Sequence, residues 1–344
     1  MKRTKRPKKW ITKAALIRLA IGLIVLLGLS IWIWSKVIFM PGKVYIGELQ
    51  PLTSEEALIK TELMQNINFI ADEIGEHNYI FYDNLVTAEN FLEQSLSEIG
   101  YQVKRQTYEV YEKQFTNLEV EIKGSQNPDE IVIVGAHYDS VVGSPGANDN
   151  GTGTAAVLAL AKVFAGKEVK RTLRFVEFTN EEPPFFWTEN MGSLVYAKGC
   201  KERQENVVAM LSLETMGYYS DEPKTQDYPL GLLDKVYPHA GNFIAFVGNL
   251  NSESLIRKVI KNFRSHTNFP SEGVALPGNI PGVGWSDHWS FWQMDYPALM
   301  VTDTAPFRYQ QYHTMQDTTD RIDGDRLAQV VAGLQRTIES LVNE

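Results

Sequence analysis

Seven side chains of types that hold divalent cations or move protons fall at the ends of successive apolar runs in this chain. The run Ile131-Val-Ile-Val-Gly-Ala closes on His137-Tyr-Asp139, and after a Gly/Pro/Asn loop Asp149-Asn-Gly-Thr-Gly opens an apolar helical stretch. A short β-branched run reads as a buried strand. Polar groups beyond the carboxyl ends of strands in an open α/β sheet sit where such folds bind ligands. His137 offers a neutral imidazole, and Asp139, on the same face of an extended chain, can orient that imidazole through its other ring nitrogen. Asp149 comes at a helix start, where the chain can turn back to the strand end. Plainer readings exist for each: Asp149 can be an ordinary N-cap, and His-x-Asp can be purely structural.

Glu181-Glu182 follow the run from Leu173 to Phe178. Adjacent carboxylates at a strand end point in different directions and can divide labour, one holding a cation while the other takes a proton from bound water. An acid pair favoured by a helix macrodipole is the alternative. The following Pro183-Pro184-Phe185-Phe186-Trp187 is too bulky and stiff for a solvated helix start and predicts a rigid apolar wall. Glu214 closes the run from Val207, where an acid is costly unless paired or metal-bound. His313 stands in a polar loop from which it can reach the same edge.

The elements that must position these groups alternate in type. Helical spacing covers Ser54 to Ile74 and Thr87 to Ile99, the second capped by Thr87. Strand patterns cover Tyr101 to Tyr111, Leu118 to Ile122 and Ile131 to Val134. Then come a helix from Thr152 to Phe164, a strand from Leu173 to Phe178, a helix from Ser193 to Lys201 and a strand from Val207 to Leu213. Tyr218 to His239 reads as an irregular loop. Phe243 to Val247 (strand), Ser252 to Phe269 (helix), a helix near Trp289, Ala298 to Val301 (strand) and a helix from Arg326 to Leu341 complete the chain. This alternation predicts a three-layer αβα domain around a mixed, largely parallel central sheet.

Charge separates the chain into parts. Of 33 Lys/Arg and 42 Asp/Glu, the first 43 residues carry ten basic and no acidic groups, which leaves 23 against 42 and a net charge of -19 on the rest. An acidic body excludes nucleic acid as partner, and one cysteine, Cys200, excludes an internal disulfide. Residues 1–13 are expected to form a basic cytoplasmic tail, residues 14–39 one transmembrane anchor, and residues 44–344 the catalytic domain. Leu19 to Ser35 contains no charge, and the basic flank places the N-terminus in the cytoplasm and the body outside. The end of the apolar run, Trp-Ile-Trp-Ser-Lys-Val-Ile-Phe, is unlike the small-residue site of a cleaved signal peptide. No pattern specifies an oligomeric state.

Taken jointly, Gly-Ala-His137-Tyr-Asp139, Asp149-Asn-Gly-Thr-Gly, Asn-Glu181-Glu182, Glu214, Ser286-Asp287-His288 and Tyr312-His313-Thr-x-x-Asp317-Thr resemble the two-zinc exopeptidase family that includes bacterial leucyl aminopeptidases, glutamate carboxypeptidase and glutaminyl cyclases. The resemblance runs from about Glu55 to the C-terminus. It implies two zinc ions per chain bridged by Asp149, with His137 and Glu214 completing one, Glu182 and His313 the other, and Glu181 as general acid/base. Members often have Asp where Glu214 stands, and many have a shorter Gly-containing turn in place of Pro183 to Thr188. A cis peptide is expected at Asp149-Asn150. Tyr312, just before His313, is a candidate donor to the tetrahedral oxyanion, with core packing as the alternative. Asp287 and His288 are expected to support the site from behind.

The substrate is expected to be a peptide. A site this rich in acid suits a free α-ammonium, which favours an aminopeptidase with Phe185, Phe186 and Trp187 in the side-chain pocket. A carboxypeptidase would need a cationic clamp, for which Arg308, Lys198 and Arg264 are the candidates. A one-zinc glutaminyl cyclase and an inactive binding ectodomain remain as alternatives; against a carbohydrate or lipid hydrolase, the sequence has no Gly-x-Ser-x-Gly nucleophile elbow. His77, His239 and His266 show no partner pattern.

Overall fold

In a computed structural model, described over residues 12–344, the apolar N-terminal segment is one long helix. Residues 1–11, most of the expected basic tail, lie outside the described residues. Helix α1 (Lys13–Ile33) buries none of its residues and continues through a wider π-type turn at Trp34–Ile38. Lys13–Ile38 together form 26 residues of high hydropathy. At about 1.5 Å per residue that is roughly 39 Å, longer than the ~30 Å hydrocarbon core of a bilayer. By length and composition the helix suits a membrane span or a signal sequence.

Its end is fastened to the body. Lys36 pairs with Glu253 at 3.2 Å, and Arg257 donates to the carbonyl oxygens of Ser35 (2.9 Å) and Phe39 (2.7 Å). Arg264 donates to those of Met40 and Pro41, both at 3.2 Å. Ile33, Val37 and Ile38 pack into an apolar cluster with Tyr237, Phe243 and Val247.

The body is built on eight strands: β1 (Lys104–Val110), β2 (Lys113–Ile122), β3 (Asn127–His137), β4 (Arg171–Phe178), β5 (Asn206–Glu214), β6 (Ile244–Gly248), β7 (Ser271–Ala275) and β8 (Ala298–Thr302). Their order is β1-β2-β4-β3-β5-β8-β6-β7. β4, β3, β5 and β8 run parallel at the centre, β2 and β6 flank them antiparallel, and β7 lies parallel to β6 at the edge. Alternation along β3 divides the core: Val132, Val134 and Ala136 face one layer, Ile131 and Ile133 the other. The first layer holds α2 (Ser54–Asn68), α3 (Tyr82–Glu98), α4 (Gly151–Phe164), α6 (Glu253–His266) and α8 (Gly324–Val342); the second holds α5 (Gly192–Glu202) and α7 (His288–Gln293). This is the three-layer mixed α/β architecture expected from the alternation of elements.

Three expectations differ in detail. Helix α3 begins at Tyr82, and Thr87 lies inside it with its hydroxyl donating to the Asp83 carbonyl, so it is no cap. β2 starts at Lys113 because Tyr111 and Glu112 take positive φ (49° and 61°) in a tight two-residue hairpin, which carries pairing back to Val110. The segment expected as the tail of one helix ends at His266, and the unanticipated edge strand β7 follows it. Ser-Glu-Gly-Val-Ala carries too little apolar alternation to announce a strand; its backbone pairing with β6 makes it one.

Candidate metal centre

Because β3, β4 and β5 are parallel, their carboxyl ends share one edge of the sheet, and the residues that end them meet there. His137 closes β3, Glu214 closes β5, and Glu181 and Glu182 follow β4. Asp149 arrives from the α4 N-terminus. Asn150 caps α4 by accepting from the Gly153 amide (3.1 Å) and also donates to the Leu213 carbonyl (2.8 Å), tying the helix start to β5. A side chain on Gly153 would place its Cβ 2.3 Å from the Leu213 carbonyl oxygen, so only glycine permits this approach. The peptide Asp149-Asn150 is cis, as is Pro183-Pro184.

Two groups of donor atoms result. Ligand atoms of His137, Asp149 and Glu214 lie within 4.8 Å of one another, as do those of Asp149, Glu182 and His313. Asp149 belongs to both: Oδ1 is 3.4 Å from Nε2 of His137, and Oδ2 is 3.0 Å from Nε2 of His313. Glu214 Oε2 stands 3.3 Å from Nε2 of His137, and Glu182 Oε1 stands 3.4 Å from Nε2 of His313. All are buried except the His313 side chain, which is 34% exposed.

The protonation pattern fits a divalent cation. His137 Nδ1 donates to the Asp139 carbonyl oxygen (3.0 Å), which leaves Nε2 turned to the oxygens of Asp149 and Glu214. Carboxylates that converge on an imidazole nitrogen require a positive charge among them, a proton or a metal ion. Asp149 Oδ2 and Glu182 Oε1 are buried and receive no hydrogen bond of proper geometry. Burial, reinforced by Asp149, pushes the Glu182 carboxyl up to about 7. Against the lowering effect of burial, Asp149 and Glu182 raise His313 to about 11. The centre attracts cations.

The supports are only partly those the sequence suggests. The Asp139 carboxylate lies 3.7 Å from His137 Nδ1, so its backbone carbonyl, not its side chain, orients the imidazole. The carboxylate instead accepts the amides of Glu181 (3.0 Å) and Glu182 (3.1 Å) and fixes the acid pair. Behind Glu214 the donor is Ser286, with Oγ 2.7 Å from Oε2. Asp287 is fully buried with neither carboxylate oxygen hydrogen-bonded, and His288 turns away to the Val283 carbonyl (2.8 Å). Asp317 accepts the amides of Asn148 (2.9 Å) and Asp149 (3.0 Å) and holds the Asp149 loop. Both Ser286 and Asp317 sit inside the recognised motifs, but nothing local in the sequence reveals partners so far along the chain.

The apolar wall also divides. Phe186 lines the cleft over Glu181, Glu182, Glu214 and Tyr312, joined by Trp285. Trp187 backs it, stacked between Phe186 and Trp289 and bonded to the Gly284 carbonyl (3.0 Å). Phe185 does not line the cleft: it is buried among Tyr79, Tyr111 and Phe115. Tyr312 stacks on His313 with ring centroids 3.8 Å apart and faces the cleft. No Lys or Arg is among the described residues lining it. Arg308 lies outside the cleft lining and donates to Gln226 and the Gly241 and Phe243 carbonyls, while its Nη2 is buried without a hydrogen bond.

Comparison with known proteins agrees with this architecture. The chain belongs to peptidase family M28, whose profile matches residues 117–337. It is 33% identical over 281 residues to the YfbL protein of Escherichia coli (strain K12), covering 79% of this chain and 85% of that one. To the probable aminopeptidase YDR415C of Saccharomyces cerevisiae it is 26% identical over 225 residues, 61% of this chain and 53% of that protein. Among solved structures, the Bacillus subtilis zinc aminopeptidase BSAP superposes with a TM-score of 0.65 at 16% identity, over 83% of this chain and 95% of that one. A glutaminyl cyclase of Fimbriiglobus ruber does so with 0.62 at 18% identity, over 86% and 99%. These likenesses are of fold.

Proposed function

We propose that this chain is a zinc-dependent aminopeptidase that removes N-terminal residues from peptides. The observation that carries the reading is Asp149, whose two oxygens reach into two separate donor groups. Three carboxylates and two imidazoles suit zinc. His137, Asp149 and Glu214 would hold one ion, and Asp149, Glu182 and His313 the other. Zinc bound there supplies Lewis acidity and a water that ionises near neutral pH.

The protein's own groups do the rest. Glu181, buried beside both donor groups and fixed through its amide by Asp139, accepts the proton of the attacking water and returns it to the leaving amine. Tyr312 donates its phenol hydrogen to the oxygen that gains charge. The surrounding carboxylates hold the substrate's α-ammonium, and the lack of a cation in the cleft disfavours a carboxypeptidase. Phe186 and Trp285 keep water from the reacting carbonyl.

Residues 44–344 form the catalytic domain in this reading, and residues 14–39 anchor it with the basic tail in the cytoplasm. The test is metal content together with hydrolysis of aminoacyl-amide reporters by the purified chain. Two zincs and chelator-sensitive hydrolysis are expected. One zinc with cyclisation of N-terminal glutamine would select the cyclase, and metal without either activity would select a binding role.

Ser286→Ala removes the hydroxyl that bonds Glu214. Zinc affinity should fall about 10- to 100-fold, as measured by competition with a chromogenic chelator. Unchanged affinity would mean that Glu214 needs no such support.

A further inference from the structure

Beside the metal centre runs a second pocket that shares Glu214, Trp285 and Tyr312 with it. Its floor is the sheet. In register, Glu214 stands opposite Thr302, Thr302 opposite Ala245, and Ala245 opposite Glu272. These four side chains share one face, so the row leads from the metal centre to the edge strand β7. Three strand spacings make it about 14 Å long. The next row, Met300, Val247 and Val274, is apolar, as are the walls at Leu233, Phe243 and Val283.

Glu214 at the mouth apart, one acid lines this pocket: Glu272, whose side chain is 19% exposed. Its only ion-pair partner among the described residues is Arg264, with Nη2 3.8 Å away and outside hydrogen-bond reach. Arg264 is committed elsewhere, to Ser271 Oγ (3.2 Å), the Ser271 carbonyl (2.6 Å) and the carbonyls of Met40 and Pro41. The neighbouring phenols are committed too, Tyr237 to the Gly273 carbonyl and Tyr228 to that of Pro238. A carboxylate at the end of an apolar slot thus has no donor of its own. Burial pushes it up to about 7, only partly opposed by Arg264.

We propose that Glu272 makes this pocket select an N-terminal residue whose long aliphatic side chain ends in a cation, lysine or arginine, over an apolar residue of equal length. The proposal deepens the aminopeptidase reading and rests on it. Extended, a lysine side chain reaches about 6 Å from its Cα and a glutamate about 4 Å; with about 3 Å for the ammonium–carboxylate contact they span about 13 Å, close to the ~14 Å length of the row. The methylenes lie along Met300, Val247 and Val274, and the ammonium meets Glu272. An apolar residue fills the same slot but leaves the carboxylate without a hydrogen-bond donor.

The experiment uses the zinc-loaded full-length chain. L-lysine amide and L-norleucine amide are titrated calorimetrically into the Glu181→Gln protein, with and without Glu272→Gln, and the wild type is assayed on the matching lysyl and norleucyl p-nitroanilides. Expected is lysine binding about tenfold or more tighter than norleucine, a preference lost with Glu272→Gln and widening as pH rises through about 7, where Glu272 ionises. Equal or weaker lysine binding without the Glu272 exchange overturns the proposal, even if Glu272→Gln fails to fold. Hydrolysis of both reporters without lysine preference in binding leaves the aminopeptidase standing and removes this pocket assignment. Glu272-dependent lysine binding without hydrolysis does the reverse.

Discussion

Glu181→Gln is expected to lower kcat about 10²- to 10⁴-fold on any aminoacyl reporter, with zinc content and KM near wild type. The exchange keeps size and shape but removes the ability to take a proton. The main chain at this position is held by the Asp139 carboxylate, which accepts the amides of Glu181 and Glu182, and this anchorage does not depend on the Glu181 side chain. Burial, reinforced by the neighbouring acids Glu182 and Glu214, holds the Glu181 carboxyl well above the usual carboxylate range. Steady-state kinetics beside metal analysis separates the outcomes. A variant that hydrolyses at wild-type rate removes Glu181 from the proton path, and one that loses zinc makes it a ligand.

Asp149→Ala should have the larger effect, because one side chain serves both donor groups. Each group would be left with one imidazole and one carboxylate, too few to close a zinc site. Zinc content after dialysis should fall from two ions to near none, and hydrolysis should fall by about 10³-fold or more, since several kcal/mol of charge stabilisation go with the metals. The fold should survive: Asn150, not Asp149, caps α4, and Asp317 holds the loop through the backbone amides of Asn148 and Asp149. Circular dichroism would check this. Retention of both ions would refute the assignment of Asp149 as the shared ligand.

Much of the architecture could be read from the sequence because the central strands are short continuous apolar runs and the helices carry one apolar stripe each. The site groups are legible for a related reason: in parallel strands, residues that end successive runs share an edge, so the pattern alone brings His137, the Glu181-Glu182 pair and Glu214 together. What was not legible depends on distant partners. Edge strand β7 exists through pairing with β6, and β2 begins early because of the turn at Tyr111 and Glu112. Ser286 serves a residue 72 positions away, and Asp317 one 168 away. Phe185 looks like its neighbour Phe186 in the sequence, but the turn after Pro183-Pro184 sends one ring into the core and the other over the cleft. The sequence puts Asp139 two residues from His137, but which of its oxygens faces the ring is decided by the amides of Glu181 and Glu182, which take the carboxylate.

The fastening of the N-terminal helix by Lys36, Arg257 and Arg264 bears on where the enzyme can work. A catalytic head on a loose leash sweeps a hemisphere; one bolted to a mast does not. With the helix seated in a bilayer as proposed, the mouth of the cleft keeps a fixed height and bearing above the lipid, and the molecule patrols a thin layer as it diffuses in two dimensions. In that placement, peptide ends that rise to that height would come within reach of the proposed aminopeptidase, and those held closer to or farther from the surface would not.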